Sequence, residues 1–397
     1  MTVGTGIKYM RLAEELRRGL RDGAWPPGTK LPTEAELAAT HDLSVNTVRR
    51  ALEVLAPEGS VERRQGAGTF ARQAPRPPGV RRRIAVVLPE RDWYFPPVIA
   101  GIETVAARTR TSIEVHTIGY GDVGWGRLER LVSGLADVDG VLVTHPGPSE
   151  TAPPDHARLL HGLSVPYVLL ERAPFGIGDP SEHVSTDHAG GAYLALAHLA
   201  ALGHRDVALA CRTGSAPSRG IREGFTQGAA ALGLRVVDRF DWPLLSRWGT
   251  LEGALAAQAP FAEEVLREVR GGGATAMVCF GDVEGLALLA AADRAGVRVP
   301  GDLALVSCED RHASTAPVPL TSVAPEKFRL GGLALETLLR RLDEPEGELR
   351  QVWLRPRLTV RESCGAAAFG ARSFRPGAYG TGAYEPGAFG PGVANPS

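Results

Sequence analysis

The sequence predicts an α/β protein in two parts: a small N-terminal α+β head built as a winged helix-turn-helix, then a doubly wound α/β module of two lobes. Three observations carry this prediction. Leucines recur at helical spacing between capping signals over residues 12–55, followed by a hairpin pattern with glycines at its tip. From residue 84 onward, short apolar runs alternate with helical segments, the pattern of a parallel sheet. Those runs number seven, more than one mononucleotide-type half holds, so two lobes with a cleft between them are expected.

In the head, Leu12, Leu16 and Leu20 mark one face of a first helix that ends near Gly23. The turn Pro26-Pro27-Gly28 leads to Thr33-Glu34-Ala35-Glu36, a capping box that starts a short second helix ending near His41. Ser44 can cap a third helix, whose Val48, Leu52 and Leu55 share a buried stripe. At about 100° per residue, Asn46 and Arg50 then point away from that stripe, with Thr47 and Arg49 on its flanks. Two short helices joined by a tight turn, the second showing Asn, Thr and Arg, can place that second helix in the major groove of DNA. Residues 61–70 read as a hairpin in which Arg63 and Arg64 supply charge and the glycines allow close approach to a phosphate backbone.

Charge supports the division. Residues 1–83 carry a net charge of +6 and the remainder −7, so the near-neutral total of −1 conceals a basic head on an acidic body. A basic segment of this size is also compatible with a solvated surface; only the position of Arg49 and Arg50 on the helix favours a polyanion. At 397 residues, the chain has room for two or three domains. No run of about 18 apolar residues suggests a membrane span, and the amphipathic N-terminus is unlike a signal peptide, so a cytoplasmic location without membrane contact is expected. Cys211, Cys279, Cys308 and Cys364 are scattered, with no zinc-ligand spacing, and are read as reduced packing residues.

The segment from Tyr9 to Phe70 resembles the GntR-type winged-helix domain, on PPGTKLPTEAELA, TVRRAL and the GAGTF wing in combination. The resemblance implies DNA contacts from Thr33 and Glu34, from Asn46, Thr47, Arg49 and Arg50, and from Arg64, Gln65, Gly66 and Gly68; Ser44 and Arg63 complete the candidate set. Two departures stand out. Val45 occupies a position where the family usually has arginine, which alters operator preference, and Pro57 and Ser60 replace commoner residues before the wing. Residues 73–83, rich in proline and arginine, read as a semi-rigid linker between residues 1–72 and a body over residues 84–364.

The body's expected strands are residues 84–88, 112–118, 139–145, 165–170, 207–211, 275–280 and 303–308, and its helices include residues 97–109, 188–202, 218–232, 283–295 and 327–342. Walker, GxGxxG, GxSxG and HExxH motifs are absent, so no catalytic residue, cofactor or metal is expected. His183 and His188 read as surface or cleft-edge residues rather than a metal pair. Through FPPVIAGIE, DHAGGAYLALAHLAALGHRDVAL, REGFTQGAAALGL and CFGDVEGLALLAAADRAGVRVPGDLALVSCED, the body resembles the LacI/GalR-type effector module, which is similar in fold to periplasmic sugar-binding proteins. That resemblance implies a clamshell that closes on a small molecule such as a sugar and that forms a homodimer. By alignment with it, Phe95 and Trp248 offer aromatic faces to the ligand. Arg172, Asp187, Asp282 and Glu309 follow strands, where ligands bind in doubly wound sheets, although acidic groups there also cap helices. The family's cleft arginine falls on Ile221 here, leaving Arg219 or Arg222 to replace it.

The expected function is a DNA-binding transcriptional regulator, by default a repressor, controlled by a sugar-like effector; a small-molecule sensor that does not bind DNA is the alternative. Residues 365–397, repeating Gly, Ala, Pro, Phe and Tyr, cannot build a core and are expected to be disordered.

Overall fold

Helix caps, turn glycines and alternating apolar faces shape a small N-terminal head and two parallel-sheet lobes. The structure is a computed structural model and describes residues 3–21, 24–25, 28–56, 60–64, 67–71, 82–91, 93–135, 137–147, 154–176, 178–243 and 250–366. Most of the expected linker, and the tail from residue 367, lie outside these described residues.

In the head, α1 (Val3–Arg21) precedes α2 (Glu34–Thr40) and α3 (Val45–Leu55). The Thr33 hydroxyl accepts the Glu36 amide while the Glu36 carboxylate accepts the Thr33 amide at 2.7 Å, closing the capping box. Ser44 accepts the Thr47 amide at 3.2 Å and so starts α3. Val48, Leu52 and Leu55 are fully buried against Leu12 and Leu16 of α1, Leu37 of α2 and Val61 and Ala71 of the wing, so the head has a core of its own. The wing pairs β1 (Val61–Arg64) with β2 (Gly68–Ala71) antiparallel; Arg64 faces Gly68, whose φ of +119° favours glycine.

The first lobe begins with β3 (Arg82–Leu88), α4 (Pro96–Thr109), β4 (Thr111–Thr117), α5 (Gly121–Ser133), β5 (Gly140–Val143), α6 (Pro154–His161), β6 (Tyr167–Leu170) and β7 (His183–Thr186). The chain then crosses to the second lobe for α7 (His188–Ala201), β8 (Asp206–Arg212), α8 (Ala216–Ala231), β9 (Arg235–Trp242), α9 (Leu251–Gly272), β10 (Ala276–Cys279), α10 (Asp282–Arg294), β11 (Ala304–Ser307) and β12 (Thr321–Ala324). It returns for α11 (Lys327–Asp343) and β13 (Gln351–Leu354), and crosses a third time to β14 (Arg357–Thr359). The sheet orders are β13-β7-β6-β5-β3-β4 and β14-β12-β11-β10-β8-β9, parallel except for β14 against β12.

Both sheets are covered on both faces, and alternate residues supply the two cores. Ile84, Val86 and Leu88 pack toward α4 and α11, whereas Ala85 and Val87 meet Trp125 and Leu128 of α5. In the second lobe, Val207, Leu209 and Cys211 face α7 and α8, and Ala208 and Ala210 face α9 and α10. Strands β7, β9, β12, β13 and β14 are not among the seven expected from sequence. α9 stops at Gly272, and Gly273 takes the left-handed cap with φ +76°.

α4 and α11 approach so closely that a Cβ at Gly101 would lie 1.9 Å from the Phe328 carbonyl oxygen, and one at Gly331 would lie 2.0 Å from that of Val98. Backbone cannot yield as a side chain does, so Gly101→Ala or Gly331→Ala should destabilise the body by about 1–3 kcal/mol. Gly126→Ala, on α5 with only Arg130 Nη1 at 3.8 Å, should be neutral or stabilising by up to about 1 kcal/mol. Thermal unfolding followed by circular dichroism compares the three.

Candidate functional sites

The solvent-facing part of α3 carries Val45, Asn46, Arg49 and Arg50, all exposed. Glu34 at the start of α2 accepts Arg49 Nε at 3.1 Å and Arg63 Nη2 at 2.6 Å. Rather than standing free, Glu34 ties α2, α3 and the wing together on that face. Arg50 sits 5.9 Å from the centre of the Tyr9 ring, and Arg64 lies 4.5 Å over Phe70 while donating to Glu62 at 3.2 Å. Thr47 corrects the sequence reading. It is only 5% exposed, because its place in the first turn of α3 directs it inward to the Ser44 hydroxyl at 2.8 Å. Thr33 and Ser44 are exposed but use their hydroxyls as helix caps. Gly68 is exposed at the wing, and Gln65 and Gly66 lie outside the described residues.

The second site is a cavity of about 100 Å³ between the lobes, at the carboxyl ends of their strands. Trp93, Tyr94, Phe95 and Tyr120 of the first lobe and Phe280 of the second give it aromatic walls, and Glu171, Arg172, His188, Arg212 and Glu309 supply charge and hydrogen bonding. Phe95, Arg172 and Glu309 of the expected set line this cavity, although Phe95 is only 2% exposed and packs into the first lobe's core.

The charges in this cavity are unequally matched. Glu171 accepts the Tyr94 hydroxyl at 2.5 Å, the Thr186 amide at 3.0 Å and the Thr186 hydroxyl at 2.8 Å, and lies 3.5 Å from His188 Nε2. Burial alone would raise its pKa, but His188, with Tyr94 and Thr186, outweighs burial and holds it at about 2. The Tyr94 hydroxyl is pushed well above its usual range, first by burial and then by Glu171. Arg212, at the end of β8, is buried and makes a two-pronged ion pair with Glu284 while lying 4.5 Å over Phe280.

Arg172, only 6% exposed, has main-chain partners instead: Nε donates to the His145 carbonyl at 2.9 Å and Nη1 to that of Glu171 at 2.7 Å. No carboxylate pairs with it among the described residues, and burial lowers its pKa. Glu309 likewise has no side-chain ion pair among the described residues; Lys327 donates to its main-chain carbonyl at 3.1 Å. Burial outweighs the opposing charge of Lys327 and raises Glu309 to about 6. The lobes also meet at Trp93, with Arg311 4.7 Å over its ring and His312 at 5.4 Å.

Several expected cleft residues have other roles. Asp187 caps α7, accepting the Gly190 amide at 2.7 Å. Asp282 is fully buried and accepts the amides of Arg311, His312 and Ala313 and the Ser307 hydroxyl, so it fixes the loop beneath Trp93. Arg222 turns to Asp241 at 2.5 Å and the Cys211 carbonyl, and Arg219 extends into solvent beside Glu223; the arginine that reaches the cavity from this lobe is Arg212. Its place at a strand end was a signal available in the sequence. Trp248 lies outside the described residues. His188 lines the cleft edge, but His183 is buried against Trp353 rather than at the surface. Among the described residues there is no cluster of three His, Cys, Asp or Glu able to hold a metal, and no helix is long and apolar enough to cross a membrane.

Glu309 makes stability depend on pH. Its folded-state pKa of about 6 lies above the ordinary 4.5, so its contribution is full below pH 4.5 and is lost as pH rises through 6. The difference corresponds to about 2 kcal/mol. Glu309→Gln should flatten the change in urea midpoint over that window; an unchanged slope would assign the shift to other groups.

Residues 8–71 match the family described as bacterial regulatory proteins, gntR family, and residues 196–364 match the periplasmic binding protein-like domain. The arabinose metabolism transcriptional repressor of Geobacillus stearothermophilus is 28% identical over 363 residues, covering 90% of this chain and 97% of that protein. A LacI family transcriptional regulator from Mycobacterium smegmatis superposes with a TM-score of 0.56 and 26% identity, over 70% of this chain and 98% of that one. The transcriptional regulator CelR, solved with cellobiose, shares the fold with a TM-score of 0.60 and 22% identity, over 84% of this chain and all of that one. The chain thus joins an N-terminal segment that matches the gntR family of bacterial regulatory proteins to a body that matches the periplasmic binding protein-like domain over residues 196–364.

Proposed function

We propose that this chain is a transcriptional repressor that binds operator DNA as a homodimer through α3 and the wing, with its affinity set by a sugar held between the two lobes. The observation that carries the reading is the pairing of an exposed, polar α3 with a cavity lined by a guanidinium, Arg172, and a carboxylate, Glu309, neither of which makes a side-chain ion pair among the described residues. Residues 1–72 would bind DNA, residues 73–83 would connect, residues 84–364 would sense the effector, and residues 365–397 would take no part. Aromatic faces suit the apolar patches of a sugar ring, while Arg172 can donate to hydroxyl oxygens and Glu309 can accept from hydroxyls. The arabinose metabolism repressor that matches nine tenths of the chain makes arabinose the first sugar to test, and the CelR complex makes cellobiose the second.

Asn46→Ala and Arg50→Ala should each weaken binding to a preferred duplex by about 5- to 150-fold, the range of one base contact. Fluorescence anisotropy on duplexes enriched from a random pool measures this loss. Arg172→Ala should leave DNA affinity intact and abolish the response to sugar; in the unaltered protein, the effector should change duplex affinity by about 5- to 150-fold. A thermal shift with sugar but no retention of any duplex would favour the sensor that does not bind DNA. No response to any sugar would remove the proposed effector class.

A further inference from the structure

We infer that Val45 reads the C5-methyl group of a thymine in each operator half-site, an inference that rests on the DNA-binding role of α3. Val45 is the first residue of α3, directly after the Ser44 cap. It continues the row of Val48, Leu52 and Leu55 along the helix, yet those three are fully buried and Val45 is 41% exposed. The row has passed the end of the head's core: Leu43 packs against that core, whereas Val45 takes no part in it. Its exposed neighbours on α3, Asn46, Arg49 and Arg50, are all hydrogen-bonding residues. Val45 is therefore an apolar side chain standing at the tip of a polar reading surface.

The N-terminal residues of a recognition helix are those that meet base edges. Along the major groove, each base presents hydrogen-bonding groups, and the apolar group is the thymine methyl. A valine side chain has no donor or acceptor for a phosphate or a guanine edge. Its branched methyls can exclude water from a thymine methyl, with a gain comparable to burying one methyl group, about fourfold in affinity per half-site. The contact makes Val45 a specificity-determining residue: it would favour thymine at one position and disfavour cytosine, which lacks the methyl.

The test uses the full-length protein and a pool of duplexes with a randomised core. After enrichment, each thymine of the consensus duplex is replaced singly by uracil, which removes the methyl and leaves the groove's donors and acceptors unchanged. One position per half-site should lose about fourfold with the unaltered protein and with Val45→Ile, but show almost no loss with Val45→Ala. Absence of any methyl-sensitive thymine would overturn the assignment, as would equal uracil sensitivity in Val45→Ala. A pool in which no duplex is enriched would overturn it together with the DNA-binding reading. An enriched duplex without a methyl-sensitive position would overturn the Val45 contact alone.

Discussion

The cleft is organised around the carboxylate of Glu171. Placed at the end of β6, it gathers Tyr94 from the loop before α4, Thr186 from the end of β7 and His188 from the first turn of the second lobe's α7. A buried carboxylate without partners would be too costly to remain charged, so these groups are constrained to converge on it. Their convergence fixes Arg172 as well, because its guanidinium donates to the Glu171 carbonyl where the residue lines the cavity. One anion therefore sets the aromatic wall, the hinge-side histidine and the cationic wall together.

The distribution of counter-charges separates residues that hold the scaffold from those available to a ligand. Arg212 is matched by Glu284, and Glu182 by Arg340 and Arg341; these carboxylates are taken by protein cations. Arg172 and Glu309, on opposite lobes, are not matched in this way among the described residues. A ligand bearing both acceptors and donors would satisfy one from each side, and would thus favour the closed arrangement over an open one. In the head the same distinction appears at Glu34, whose bonds to Arg49 and Arg63 connect the reading helix to the wing.

The sequence reveals most where local rules and global packing agree. The capping box at Thr33, the stripe on α3 and the alternating strands β3, β8, β10 and β11 are locally encoded, and they form as expected. The overlooked strands are those whose apolar content is interrupted. β9 mixes four charged residues into eight, β13 and β14 are partly exposed edges, and β7 buries His, Ser and Thr in a run of four. Within the cleft, residue type at a strand end was not enough. Asp187, Asp282 and Arg222 fit the expected chemistry, but a helix cap, a loop and Asp241 claim them. Only the spatial arrangement identifies the competing partner, and only that arrangement brings Trp93, Tyr94 and Tyr120 to face Arg212.

The three passages of the chain between the lobes, after Thr186, after Ala324 and after Leu354, divide this molecule unequally as a set of exchangeable parts. The head is one uninterrupted stretch with its own apolar interior, and a single cut and splice could transplant it onto another body. Neither lobe has that property: the first sheet needs β13 from beyond the second lobe, and the second needs β14 from beyond the first lobe's return. Recombination can therefore replace what such a protein reads on DNA in one event, whereas the sensing half can be inherited only whole.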